Sequence, residues 1–163
     1  MNWYNNNKIV MSQRSIMYHS TAPNRVNSIL VNGLRTGEEV NLTEGGSWAH
    51  LVYKTNPIFV SSQPNKFAGV PLQVDVSGLK LYADLPSIVD ETHAMIDDNM
   101  VGFWWEENDE ENLTEALRKY INEDGELSFY DILNNEFLSK LLINITQTAA
   151  ILQNISPDRI QAL

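Results

Sequence analysis

The chain contains no cysteine, so it can build neither a disulfide framework nor a thiolate zinc site, and cysteine usage says nothing of its redox compartment. It also lacks any run approaching the roughly 20 consecutive apolar residues of a membrane helix, and its Asn-rich start has no basic segment followed by an apolar one. The expectation is a cytoplasmic protein, neither exported nor inserted in a membrane. The Asn-x-Thr sequons at Asn41, Asn112 and Asn144 therefore carry little weight. Basic residues are scarce: 11 Lys plus Arg stand against 21 Asp plus Glu, for a net charge of −10. Such a balance repels phosphates at long range and argues against a nucleic-acid partner. His19, His50 and His93 are scattered without metal-ligand spacing, so no metal is expected. A Gly-x-Gly-x-x-Gly loop, a Walker phosphate loop, a His-Glu-x-x-His pair and internal repeats are all missing.

What is present is the composition of an ordinary globular chain: 163 residues, 43% hydrophobic and 20% charged. This suits one α+β domain spanning 1–163 around one core. Ser15 to Tyr18 form a short apolar strand running into the polar triplet His19-Ser20-Thr21. A helix follows, with Pro23 in its first turn, Val26, Ile29 and Leu30 on one face, Gly33 at its close and Leu34 packing back. Thr36 to Ser47 read as a polar loop. Pro57 to Val60 read as a second strand, Ser61 to Asn65 as a turn, and Leu72 to Val76 as a third strand, ended by Gly78, with alternate residues inward.

Further on, Pro86 starts a helix, Trp104 and Trp105 cap the core, and Glu106 to Glu111 form a solvated acidic run. Asn112 and Glu115 have capping-box spacing for a helix bearing Leu113, Leu117 and Ile121. Beyond Gly125, Ser128 opens another with Phe129, Ile132, Leu133 and Phe137. Thr148 to Leu152 form a strand, and Ile155 to Ile160 read as strand, turn and strand edge, with Pro157 arguing against helix.

Three segments in this order resemble the ADP-ribosyltransferase superfamily. Ile16-Met17-Tyr18-His19-Ser20-Thr21 with the helix ending Asn32-Gly33-Leu34 is similar to the family's strand, His-x-Thr and helix ending in Gly-Leu. Ile58-Phe59-Val60-Ser61-Ser62 with Lys66-Phe67-Ala68 is similar to its strand that carries an aromatic residue and runs into a Lys-x-Ala helix. Phe59 stands where Tyr is usual. Ala149 to Leu152, with the proline-containing tail, resembles its last strand, and Leu72 to Leu81 followed by Asp84 resembles the strand and Asp after the second segment. The resemblance implies an ADP-ribosyltransferase-like fold with split central β-sheets and flanking helices, holding NAD.

Under that resemblance His19 donates a hydrogen bond to the ribose next to nicotinamide, with Ser20 and Thr21 beside it. Phe59 or Phe67 stacks on the nicotinamide ring. Ser61 and Ser62 bond the carboxamide or cap the turn, and Lys66 meets a phosphate or the acceptor. One departure stands out: the family's glutamate before the last strand's apolar residues falls at Ala150, with Gln147 three positions earlier. Either Gln147 reaches the ribose, or the acid comes from elsewhere, or transfer chemistry is lost. Positive charge builds on the sugar in the transition state, and a carboxylate stabilises it where an amide cannot. The leading expectation is an NAD-dependent mono-ADP-ribosyltransferase acting on a protein or small-molecule acceptor. The alternatives are an inactive module that binds NAD, ADP-ribose or a related nucleotide, or an interaction protein that uses its acidic surface to block a basic partner.

Overall fold

The computed structural model describes residues 15–36, 53, 55–91, 94–97, 100–103 and 117–163. Expectations for the 37–47 part of the loop, His50, His93, Trp104, Trp105, the acidic run and the Asn112 capping box lie outside these residues.

The protein is of mixed α+β class. Strand β1 (Ile16–Thr21) leads through a 3-10 turn (Pro23–Arg25) into helix α1 (Val26–Asn32). Strands β2 (Ile58–Ser61) and β3 (Val70–Asp75) follow, then α2 (Leu85–Glu91), β4 (Ala94–Asp97), β5 (Met100–Phe103) and β6 (Glu126–Ser128). The chain closes with α3 (Phe129–Asn134), α4 (Glu136–Thr146), β7 (Thr148–Ile151), a second 3-10 turn (Pro157–Arg159) and β8 (Ile160–Ala162). Five strands form an antiparallel sheet in the order β7-β2-β1-β3-β8, and β4-β5-β6 form a smaller one. Among the described residues no helix is long and apolar enough to cross a membrane.

The apolar residues gather in two clusters rather than the single expected core, because the large sheet is buried on both faces. One cluster joins Met17, Ile58, Val60, Leu72, Val74, Ala149 and Ile151 of the sheet to Ile29 and Leu34 of the α1 segment. The other joins Ala150 and the partly buried Phe59 to α3, α4 and the small sheet, through Leu127, Ile132, Leu138 and Leu142. Successive strand residues point to opposite faces, so Ile58 and Val60 serve one cluster and Phe59 the other. The alternation expected for β3 is observed: Leu72, Val74 and Val76 are all buried.

Several elements depart from expectation. The helix opened by Ser128 stops at Asn134, and Phe137 belongs to a second helix. Asn135 is extended, its N–H closes α3 on Asp131, and its side chain accepts the Leu138 N–H at 3.0 Å to start α4. Phe137 is consequently exposed. Helix α4 is not among the expected elements, although Glu136, Ser139, Lys140 and Asn144 mark a polar stripe at helical spacing; eight of its eleven residues are buried, Ser139 and Asn144 among them. The tail has a bridge at Ile155, then a single 3-10 turn with Pro157 at its start, where a missing N–H costs nothing, and then β8.

The expected Lys-x-Ala helix is also absent: residues 62–69 are turns and bends. Strands β2 and β3 both pair antiparallel to β1, so they run in the same direction on either side of it. The eight-residue link must cross β1 and travel back along it by about three residues, roughly 10 Å, leaving no length for a helical turn. It is pinned where Ser20 Oγ donates to the Phe67 carbonyl at 3.3 Å and where Gly69 lies against the Thr21 backbone. A Cβ on Gly69 would stand 2.7 Å from the Thr21 oxygen, and its φ is +117°.

Candidate functional site

His19 lies on the central strand of the large sheet, opposite Leu72 of β3. That pairing puts it on the sheet face covered by α1. Its Nδ1 is 2.8 Å from the Phe59 carbonyl oxygen. A carbonyl can only accept, so Nδ1 carries the proton and the neutral ring keeps an acceptor lone pair at Nε2. Burial holds the imidazole pKa below its ordinary value. The Phe59 hydrogen bond opposes this, and repulsion from the Arg25 guanidinium adds to it. The expected donor to ribose is thus an acceptor in the neutral state, fit to receive a hydroxyl proton.

A groove of about 410 Å³ opens beside this ring, lined by His19, Arg25, Ser28, Asn32, Arg35 and Ile58 among others. Helix α1 positions Ser28 and Asn32 one turn apart on one face, Arg25 stands in the 3-10 turn before it, and Arg35 follows the turn at Gly33. Ile29 and Leu34, which also border the groove, pack this segment against the sheet. The helix ends where Gly33 donates to the Ile29 carbonyl at φ +82°. Leu34 then pairs with Ile155, its N–H donating to the Ile155 oxygen at 2.9 Å and its oxygen accepting the Ile155 N–H at 2.8 Å. A Cβ on Gly33 would fall 2.2 Å from the Ile155 oxygen, so only glycine fits where the chain turns along the groove. Among the described residues its charged lining is Arg25 and Arg35.

Of the site residues expected from sequence, only His19 lines the groove. Thr21 lies on the same strand and is buried. Ser20 faces the other side of β1 and is tied to the link that carries Lys66 and Phe67. Phe59 is also on the far face, where its ring meets Tyr53 edge to face at 6.3 Å between centroids. The buried Tyr53 hydroxyl donates to the Ala83 carbonyl at 2.6 Å and accepts the Leu85 N–H. Burial pushes its pKa upward.

Ser61, Ser62 and Gln147 do come together at the end of β2 and β7. Ser61 pairs with Thr148, and the Ser62 N–H donates to the Gln147 carbonyl at 3.0 Å. Ser61 Oγ caps the following turn by accepting the Gln63 N–H, which is the turn role weighed for it. Gln147 ends α4 in the left-handed conformation, φ 61° and ψ 25°, and its Nε2 donates to the Asn144 carbonyl at 2.6 Å. Ala150 is wholly buried and paired with Phe59 on one side and Tyr82 on the other. Asp84, which follows the third strand, caps α2: its carboxylate accepts the Ser87 N–H at 3.1 Å and the Ser87 hydroxyl at 2.8 Å.

A second groove, of about 450 Å³, lies between Leu79–Tyr82 and the start of α4. Its cations are already engaged, Lys140 with Glu136 at 3.1 Å and Lys80 over the Tyr82 ring at 5.0 Å. The His19 groove, which holds the histidine singled out from the sequence, is the stronger candidate. Arg25, Ser28, Asn32 and Arg35 are its additions to the sequence reading; the i, i+4 spacing of Ser28 and Asn32 was visible in the sequence. Compared with family models, curated proteins and solved structures, the chain matches none.

Proposed function

We propose that this chain is an ADP-ribosyltransferase-like domain whose groove beside His19 binds NAD or ADP-ribose. The observation that carries the reading is the imidazole on the central strand, its Nδ1–H held by the Phe59 carbonyl and its ring open to a groove of about 410 Å³. That volume is in the range of small-molecule and cofactor sites. The order of the three segments that resemble the superfamily supports the same ligand. In this reading Nε2 accepts a ribose hydroxyl proton. The domain acts as a binding module, because the position of the usual glutamate is Ala150, sealed in the core, and the Gln147 amide is hydrogen-bonded to its own helix.

A second reading keeps turnover: NAD-dependent mono-ADP-ribosyl transfer to a protein or small-molecule acceptor. It is favoured by the contact between Gln147 and Ser62, which brings that side chain's residue to the end of β2. Thermal unfolding with NAD and with ADP-ribose tests the first reading, and nicotinamide release from NAD tests the second. Ligand-dependent stabilisation that His19→Ala removes, without nicotinamide release, supports the binding module. Release with mass gain on an acceptor supports the transferase. Melting indifferent to both ligands overturns the assignment of the groove.

A further inference from the structure

We propose that Asn32 is a self-modification site held closed by the fold: the turn that ends α1 keeps the Asn32-Gly33 pair unreactive, and opening of that turn releases the pair to form aspartyl and isoaspartyl products. This site is independent of the NAD or ADP-ribose reading and needs no ligand.

Asn32 is the one asparagine followed by glycine in the chain. A Cβ on the following residue hinders attack of its amide nitrogen on the asparagine side chain, and glycine removes that hindrance. Gly33 N loses its proton to solvent base and attacks Asn32 Cγ. The side-chain nitrogen leaves as ammonia, and a five-membered succinimide closes. Water then opens the imide at one of its two carbonyls. Attack at Cγ restores the main chain and leaves aspartate, whereas attack at the main-chain carbon leaves the chain running through Cγ, as isoaspartate. The fold itself imposes this pair, because at φ +82° and with a Cβ position 2.2 Å from the Ile155 oxygen only glycine fits at 33.

Three observations show the pair held shut. The nucleophile is engaged: Gly33 is buried and its N–H donates to the Ile29 carbonyl at 2.8 Å. The electrophile is drawn back along α1, where Asn32 Nδ2 donates to Ser28 Oγ at 3.4 Å. The chain just beyond is clasped to the tail. Leu34 and Ile155 exchange both main-chain hydrogen bonds, and Asn154 Oδ1 accepts the Thr36 N–H at 2.8 Å and the Thr36 hydroxyl at 3.2 Å. Asn32 is exposed, so water and base reach it once the turn opens, and such local openings cost less than global unfolding.

The test incubates the full chain in mildly alkaline buffer, with and without strong denaturant. Mass spectrometry of the peptide holding Asn32 reads the gain from amide to acid, and enzymatic methyl transfer reads isoaspartate. Conversion at Asn32 is expected in denaturant and at least about tenfold more slowly in the native chain. Asn154→Ala, at an exposed position, is expected to raise the native rate at least about threefold by removing the bonds to Thr36, and to leave the denatured rate unchanged. Asn32→Asp should melt close to the wild type. The isolated isoaspartyl form should melt lower, since its extra main-chain carbon adds about 1.5 Å beside a glycine with no room to move.

No conversion at Asn32 in denaturant would overturn the site, and equal native and denatured rates would overturn its protection by the turn. An unchanged native rate in a folded Asn154→Ala would remove the tail from the gate. The wild type supplies a check that needs no variant: in urea below the unfolding transition, hydrogen exchange at the Gly33 amide and conversion of Asn32 should rise together. Conversion that rises while the Gly33 amide stays protected would contradict the proposal.

Discussion

Nδ1 of His19 and the backbone oxygen of Phe59 stand 2.8 Å apart, yet the two side chains serve opposite faces of the sheet. The contact runs from side chain to main chain, so it orients the imidazole without requiring any particular residue at 59. Phe59→Leu should therefore preserve ligand-dependent stabilisation, whereas His19→Ala should abolish it. Melting of both variants with ADP-ribose separates these effects.

The same histidine carries a pH dependence. Its folded pKa lies below the ordinary value of about 6.5, chiefly through burial, so the unfolded chain takes up the proton first as pH falls. The stabilisation from the neutral ring is fully present above about pH 6.5 and is lost as pH falls through the folded pKa. Urea unfolding of wild type and His19→Gln at pH 7.5 and pH 5 should show the wild type losing more stability. Equal losses would contradict a buried neutral ring.

Gly33→Ala should be among the most damaging small substitutions. It forces φ +82° on an alanine, costing about 1–2 kcal/mol, and drives a methyl to 2.2 Å from the Ile155 oxygen, adding roughly 1–3 kcal/mol of overpacking. The urea midpoint should fall accordingly. Because Gly33 also lines the groove, ligand affinity should fall with it.

Putting back the superfamily's glutamate at Ala150 should fail. The site is completely buried between Phe59 and Tyr82, and an uncompensated charge there costs on the order of 3–5 kcal/mol. Gln147→Glu is the milder change: it gives up the donor to the Asn144 carbonyl, about 1 kcal/mol. If the transfer reading holds, Gln147→Glu raises nicotinamide release from NAD. Unchanged release in a folded Gln147→Glu would argue for the binding module.

Asn135→Ala removes the side-chain cap of α4 and should cost about 1 kcal/mol. Circular dichroism with denaturant reads the loss. The effect reaches both clusters, since α4 gives Leu138 and Leu142 to one and Ile143 to the other.

Local chemistry made much of the fold legible. The apolar run before His19, the period of Val26, Ile29 and Leu30, the Ser128 cap and the alternation of Leu72, Val74 and Val76 each depend on neighbours within one turn or one pleat. Helix α4 escaped although its polar stripe of Glu136, Ser139, Lys140 and Asn144 keeps helical spacing. The break at Asn135 escaped because Phe137 continues the spacing of Ile132 and Leu133 without a visible fault.

The sequence by itself determined that a strand runs into His19-Ser20-Thr21 and that a helix with Gly33 at its close follows, because each follows from short-range sterics and periodicity. Only the tertiary structure decided which of these residues share a site. Pairing β2 and β3 on both sides of β1 sends the 62–69 link across the strand and allots alternate residues to separate faces. Strand order is a long-range property, set by which hydrophobic faces can be buried together, and it joins His19 to Arg25 and Arg35 while carrying Phe59, Lys66 and Phe67 away from the groove.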